Sequence, residues 1–237
     1  VFFLKKEGVE MAKLCFLGHA AFKVTGENAS ILIDPFITGN PVAAVKSEDI
    51  SDVNYILVTH GHGDHLGDAE PIAMRTGATV VANAELCAYL EGKGVACHSM
   101  HIGGSYTFPF GRVKMTPALH GSDIQTEDGL VPGGNPCGFL LNIDGVTIYH
   151  AGDTGLTMDM QLLASENVKI ALLPIGGNYT MDVHDAAKAV GFIRPEIVVP
   201  MHYDTFPVIS ADPIEFIKAV GGKAEVRVVK PGEVFDI

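Results

Sequence analysis

Tyr55-Ile56-Leu57-Val58-Thr59-His60-Gly61-His62-Gly63-Asp64-His65 is the stretch on which the reading of the whole chain turns. Its first four residues form a continuous β-rich apolar run, the mark of a strand buried on both faces. The run delivers His60 at its carboxyl end, where ligands bind in open α/β sheets. His60 and His62 are two apart, so in extended chain they point the same way. Gly61 and Gly63 let the backbone turn sharply without a Cβ penalty. Asp64 and His65 can then swing toward a second point close to the first. Four metal-capable side chains so close together crowd a single tetrahedral ion that must also take distant partners. Two ions sharing a bridge is the economical arrangement.

Working outward, residues 13–17 and 21–25 read as short strands around a turn at Gly18-His19, and 31–33 as a third, stopped by Asp34-Pro35. Residues 37–53 are polar and irregular, a loop over one face. Further strands are expected at 80–81, 112–116, 139–143, 169–173, 197–199 and 226–229. Another, at 146–149, follows the hairpin turn Asp144-Gly145. Helices alternate with them. Asp68 caps one that Gly77 ends, 84–90 is a second and 156–163 a third. Asp182 caps a fourth running through Val190, with Asp185 at its third position. Asp212-Pro213 opens the last, closed by Gly221-Gly222. Each half starts with strand hairpins and then alternates strand and helix, which predicts a layered α/β sandwich in one domain over residues 11–237. The glycine-rich stretch 129–138 reads equally as the join between halves or as an active-site loop.

More ligands are needed, and three metal-capable residues fall just after β runs. His120 follows Pro117-Ala118-Leu119, Asp153 lies in Ala151-Gly152-Asp153-Thr154-Gly155, and His202 follows Ile197-Val198-Val199. Strand-end placement beside small or polar residues is what a site at one sheet edge requires. The chain carries ten histidines. His98 and His101 read as surface or core residues, and His184 as a solvated or capping residue in the first turn of the Asp182 helix.

These residues, in this order, resemble the metallo-β-lactamase superfamily from Met11 onward. Leu17-Gly18-His19-Ala20-Ala21-Phe22, Asp34-Pro35 and Met201-His202-Tyr203-Asp204-Thr205-Phe206-Pro207 narrow the resemblance to metal-dependent hydrolases related to L-ascorbate 6-phosphate lactonases. The resemblance implies a four-layer αββα sandwich with the site at one edge of the two sheets. It implies that His60, His62 and His120 hold one metal, that Asp64, His65 and His202 hold the other, and that Asp153 bridges them. It also puts the His19 turn near the metals, as a substrate contact or a support for the ligands. Asp34 is expected to stabilise a turn beside the ligands, His150 to support them, and Tyr203 to be a substrate contact or a packed ring. The cofactors expected are two divalent ions per chain: zinc first, manganese or another divalent ion next.

The nucleophile expected from such a centre is a bridging hydroxide, because each cation lowers the pKa of bound water. Asp64 is a ligand that can also shuttle a proton, which makes it the catalytic residue. The substrate expected is a small lactone or ester, anionic or carbonyl-containing. The alternatives are a small nucleotide or lipid-derived phosphodiester, or a non-enzymatic metal-holding or effector-binding module.

Composition supports this frame. A net charge of −12 disfavours a nucleic-acid polymer as partner. Two divalent cations would bring it to −8 (−12 + 4), with the added charge concentrated at one site. The apolar fraction of 47% with 19% charged residues excludes disorder. No apolar run approaches the ~18 residues of a membrane span. The four cysteines are dispersed and unpaired by spacing, the pattern of reduced core thiols in a cytoplasmic protein. The resemblance is compatible with a homo-oligomer but identifies no interface. Residues 1–10 read as a non-native extension, with translation starting at Met11.

Overall fold

The computed structural model describes residues 12–237; the expected extension at 1–10 and the expected start at Met11 lie outside them. Along the chain run β1 (Lys13–Gly18), β2 (Ala21–Thr25), β3 (Ser30–Ile33), β4 (Tyr55–Leu57), α1 (Gly63–Leu66), α2 (Ala69–Thr76), β5 (Thr79–Asn83), α3 (Ala84–Glu91) and β6 (Cys97–Met100). The second half holds β7 (Ser105–Phe108), β8 (Gly111–Pro117), β9 (Ile124–Thr126), β10 (Gly129–Val131), β11 (Cys137–Ile143) and β12 (Val146–His150). It continues with β13 (Ile170–Pro174), α4 (Val183–Ile193), β14 (Ile197–Met201), α5 (Pro213–Val220), β15 (Glu225–Val226) and β16 (Val234–Asp236).

Two seven-stranded sheets form, in the orders β16-β1-β2-β3-β4-β5-β6 and β15-β14-β13-β12-β11-β8-β7. Each is antiparallel through its hairpin strands and parallel where helices cross over: β3 to β6 in the first, β12 to β15 in the second. Strand alternation sets the layers. Ile31 and Ile33 face the inter-sheet core with Phe22, Val113, Phe139 and Leu172. Leu32, Ile56 and Val80 face outward under Ile72, Leu86 and Leu90 of the helices on that side. On the far side Tyr149, Ala171 and Val198 pack under Val190, Ile193 and Phe216. The result is the expected α/β/β/α sandwich.

Local details differ from expectation for identifiable reasons. The segment expected as a helix at 156–163 is a 3-10 helix, Met158–Ser165. Its two buried residues, Met160 and Leu163, are three apart, which suits three residues per turn. Asp68 precedes α2 but does not cap it. Its carboxylate instead accepts from the Ile37 and Thr38 amides (3.0 and 2.8 Å) and the Thr38 hydroxyl (2.7 Å), clamping the 37–53 loop. The expected strand at 226–229 shortens to β15, an edge with one neighbour. The glycine-rich stretch is not the join, because the chain passes between sheets at 101–104, after β6. It packs against the metal-motif loop instead: Ser122 Oγ accepts from the Gly61 amide (3.1 Å) and donates to Gly133 O (2.9 Å).

Candidate metal centre

The carboxyl ends of β3, β4, β12 and β14 converge with the β1–β2 turn at one edge of the sandwich, and the expected ligands meet there. One atom from each of His60, His62 and His120 lies within 4.8 Å of the others. The same holds for His60, His65 and Asp153, and for His19, Asp64, His65 and His202. The contacts join these groups. His60 Nε2 stands 3.1 Å from His62 Nδ1. Asp153 Oδ1 is 3.2 Å from His65 Nε2, and its Oδ2 is 3.0 Å from His202 Nε2 and 3.5 Å from His120 Nε2. Asp153 thus faces ligands of both sets.

A buried carboxylate orients two of the rings. Asp34 is fully buried beneath the site; Oδ1 accepts from the Thr59 amide (2.8 Å), and Oδ2 from the Thr59 hydroxyl and His65 Nδ1 (2.7 Å each). With the Thr59 proton committed to Asp34, Thr59 Oγ1 accepts from His60 Nδ1 at 2.9 Å. His60 therefore turns an Nε2 lone pair toward the centre, and His65 turns its Nε2 the same way. Carboxylate-oriented imidazoles are the usual support of a metal site.

The fit of this cluster to cations rests on unpaired buried atoms. His65 Nε2, Asp153 Oδ1 and both nitrogens of His202 are buried and make no hydrogen bond. Buried polar atoms are normally paired, and a divalent ion satisfies nitrogen and carboxylate donors together. Burial holds His60 and His120 below the ordinary imidazole range, in the deprotonated form that ligation needs. Burial also acts to raise Asp64, but its contacts with the His19 and His65 rings outweigh it, leaving the carboxyl below its usual range. For His65 the balance reverses: burial lowers it, but Asp153 and Asp34 prevail and raise it. A cation taken up there displaces that proton.

The remaining expected residues separate. His19 belongs to the centre: its Nδ1 lies 2.8 Å from Thr205 Oγ1, and its Nε2 3.3 Å from Asp64 Oδ2. Its ring is fully enclosed, and burial pushes it down to about 4. His150 lies behind the centre; Nε2 donates to Ala20 O (2.9 Å), and Nδ1 accepts from the Gly152 amide (3.1 Å). That ring ties the residue after His19 to the residue before Asp153. Tyr203 packs against the outer apolar cluster, the packed-ring alternative. His98 packs its ring at a tilt against Tyr106, while His101 and His184 are exposed. Sequence reading missed Thr59, Thr205 and Ser122, although all three sit within or beside the stretches that carried the motifs. Strain also collects here: His19, Asp34 and His202 have φ of 60°, 46° and 55°, values non-glycine residues adopt rarely and mostly at functional sites.

A family model described as the beta-lactamase superfamily domain matches residues 13–202, and the chain belongs to that superfamily. Its relatives narrow the group to the UPF0173 metal-dependent hydrolases. One from Alkaliphilus metalliredigens is 53% identical over 224 residues, covering 94% of this chain and 99% of its own. Another from Pyrococcus furiosus is 51% identical over 231 residues, covering 96% and 100%. Among solved structures, Igni18, described as a metallo hydrolase from Ignicoccus hospitalis, superposes with a TM-score of 0.87 at 42% identity, covering 96% of this chain and 100% of its own.

Proposed function

We propose that the chain hydrolyses a small lactone or carboxylic ester at a centre of two divalent cations, zinc first and manganese next. The unpaired buried atoms of His65, Asp153 and His202 carry this reading. His60, His62 and His120 would hold one ion, Asp64, His65 and His202 the other, with Asp153 between them. When bound, the ions would lower the pKa of water and polarise the substrate oxygen.

The chain's own residues supply the rest. Asp64 keeps an ionised carboxylate with a third of its side chain open to solvent (32%), positioned to take the proton of the attacking water. Phe36 and Phe206 flank the His19 ring at 5.6 and 5.8 Å, an apolar wall on one side of the centre. Leu119, next to His120, is 65% exposed and offers apolar surface on another side.

The substrate class follows from what surrounds the ligands. Among the described residues, each Lys or Arg ion pair is with a carboxylate outside the centre. The apolar faces of Phe36, Phe206 and Leu119 beside the centre suit an uncharged carbonyl substrate, which favours a lactone or ester over a phosphodiester. The four cysteines are free thiols, in keeping with a cytoplasmic protein. Among the described residues, no helix is long and apolar enough to cross a membrane.

Metal analysis coupled to a panel of lactones, esters, thioesters and phosphodiesters tests the proposal. Turnover of a lactone or ester, lost in His60→Ala, is expected. Metal-loaded protein inert to the whole panel would leave a binding module, and turnover of phosphodiesters alone would reassign the substrate.

A further inference from the structure

His19 lies outside the seven residues assigned to the two cations, yet its surroundings match theirs. His60 and His65 each anchor Nδ1 on a side-chain oxygen, Thr59 Oγ1 at 2.9 Å and Asp34 Oδ2 at 2.7 Å, and turn Nε2 to the centre. His19 does the same, with Nδ1 on Thr205 Oγ1 at 2.8 Å and Nε2 facing Asp64 Oδ2. His150 is the contrast: it is equally buried, but both its nitrogens are taken by backbone.

The spacing is informative. His19 Nε2 is 3.3 Å from Asp64 Oδ2, longer than the ~2.7–2.9 Å of a charge-assisted hydrogen bond. Two ligands each ~2.0–2.1 Å from a tetrahedral ion sit about 3.3–3.4 Å apart. The contacts among the seven assigned ligands bracket this value, from 3.0 Å (His202 to Asp153) to 3.8 Å (His202 to Asp64). His19 is also fixed before any ion arrives. Its backbone is left-handed, its carbonyl accepts from the His202 amide at 2.8 Å, and its ring lies 4.0 Å from the His202 ring.

We propose that His19 Nε2 is a direct ligand of the ion held by Asp64, His65 and His202, with Nδ1–H donating to Thr205. That ion then has four side-chain ligands before Asp153 is counted. Its coordination is nearly filled by protein, and the position left open for water and substrate falls to the ion on the His60, His62 and His120 side. This inference rests on the two-cation reading above.

The test is titration of apoprotein with Co(II), followed by calorimetry and visible absorption, on the wild type and two His19 variants. His19→Ala removes the ring. His19→Asn keeps a polar atom near the position of Nδ1 for Thr205, tolerates the left-handed backbone, and lacks only the reach of Nε2. Two Co(II) per chain are expected in the wild type. In both variants one ion is expected to weaken at least about tenfold with a changed absorption band, and Thr205→Val to weaken the same ion to a lesser degree. Apoprotein unfolding of His19→Asn checks that the fold is intact. Two ions with unchanged affinity and spectrum in His19→Asn would overturn the assignment and leave the two-cation reading standing. A wild type that binds fewer than two ions would overturn that reading, and the role of His19 with it.

Discussion

The two sides of the metal centre are built differently. On one, His60 is buried and braced by Thr59, but His62 and His120 are part-exposed, and among the described residues neither of these two hydrogen-bonds to a side chain outside the cluster. On the other, His19, His65 and His202 are buried, His65 is braced by Asp34 and His19 by Thr205, and the His202 amide is tied to the His19 carbonyl. The difference teaches that one side is part of the fold, whereas the other is a surface on which exchange can occur. The sharpest way to break the contrast is Asp34→Ala. It strands His65 Nδ1, the Thr59 amide and the Thr59 hydroxyl in a fully buried site. Breaking a buried pair of this kind costs about 3–5 kcal/mol. Urea unfolding of the apoprotein should show that loss, with both ions bound more weakly. A stability change under ~1 kcal/mol would mean the buried side is not structural.

Metal removal probes the same contrast from the ligand's side. An ion that binds only the folded chain stabilises it by about 2.7 kcal/mol at a hundredfold excess over its dissociation constant. On the two-cation reading proposed above, stripping the protein with a chelator should lower the melting temperature, and adding back one equivalent should recover most of the loss. An equal share from each equivalent would erase the distinction between the two sides.

How far the sequence led differs along the same line. The His60–His65 motif could be read because its spacing is local and its chemistry dense. His120, Asp153 and His202 could be read because each follows a β run. Thr59 and Thr205 escaped because a hydroxyl's partner is set by tertiary approach: Thr205 meets a ring 186 positions away in the chain. The fold followed from alternating strand and helix signals, and the missed elements are short ones with little core to bury. β7 has the burial of a surface strand, with only Phe108 inside. The β9–β10 hairpin pairs three residues with three and joins neither large sheet. Asp68 looked like a helix cap because cap preference is local, but the loop at 37–38 competed for its carboxylate.

His150 offers a pH-dependent version of the comparison, because it braces the buried side from behind. Burial is the main cause that holds its pKa below 6.5, partly offset by the charge of Asp34 and the bond to Ala20. The unfolded chain therefore takes up the proton more readily than the folded one. The stability this ring contributes is fully present above about pH 6.5 and is lost as pH falls through the window below it. The slope from one such group is at most ~1.4 kcal/mol per pH unit. In His150→Gln apoprotein the stability-versus-pH curve should be flatter between pH 6.5 and 5. Slopes rather than absolute stabilities should be compared, since the substitution also disturbs packing. An unchanged slope would mean the ring is not held neutral between Ala20 and Gly152.

The smallest expected stability effect belongs to His62→Ala, and that smallness makes it decisive. The ring is part-exposed, and its one hydrogen-bonding neighbour is His60 Nε2 at 3.1 Å. Its removal takes the partner from one buried atom, His60 Nε2, so apoprotein stability should fall by only about 1 kcal/mol, well short of Asp34→Ala. The metal side should respond oppositely. One ion should weaken by at least about tenfold, and hydrolysis should fall with it. If substrate enters where coordination is open, this variant separates function from folding, which Asp34→Ala cannot do. A His62→Ala apoprotein destabilised as severely as Asp34→Ala would place the open side within the folding core and remove the basis for treating the two halves of the centre as distinct.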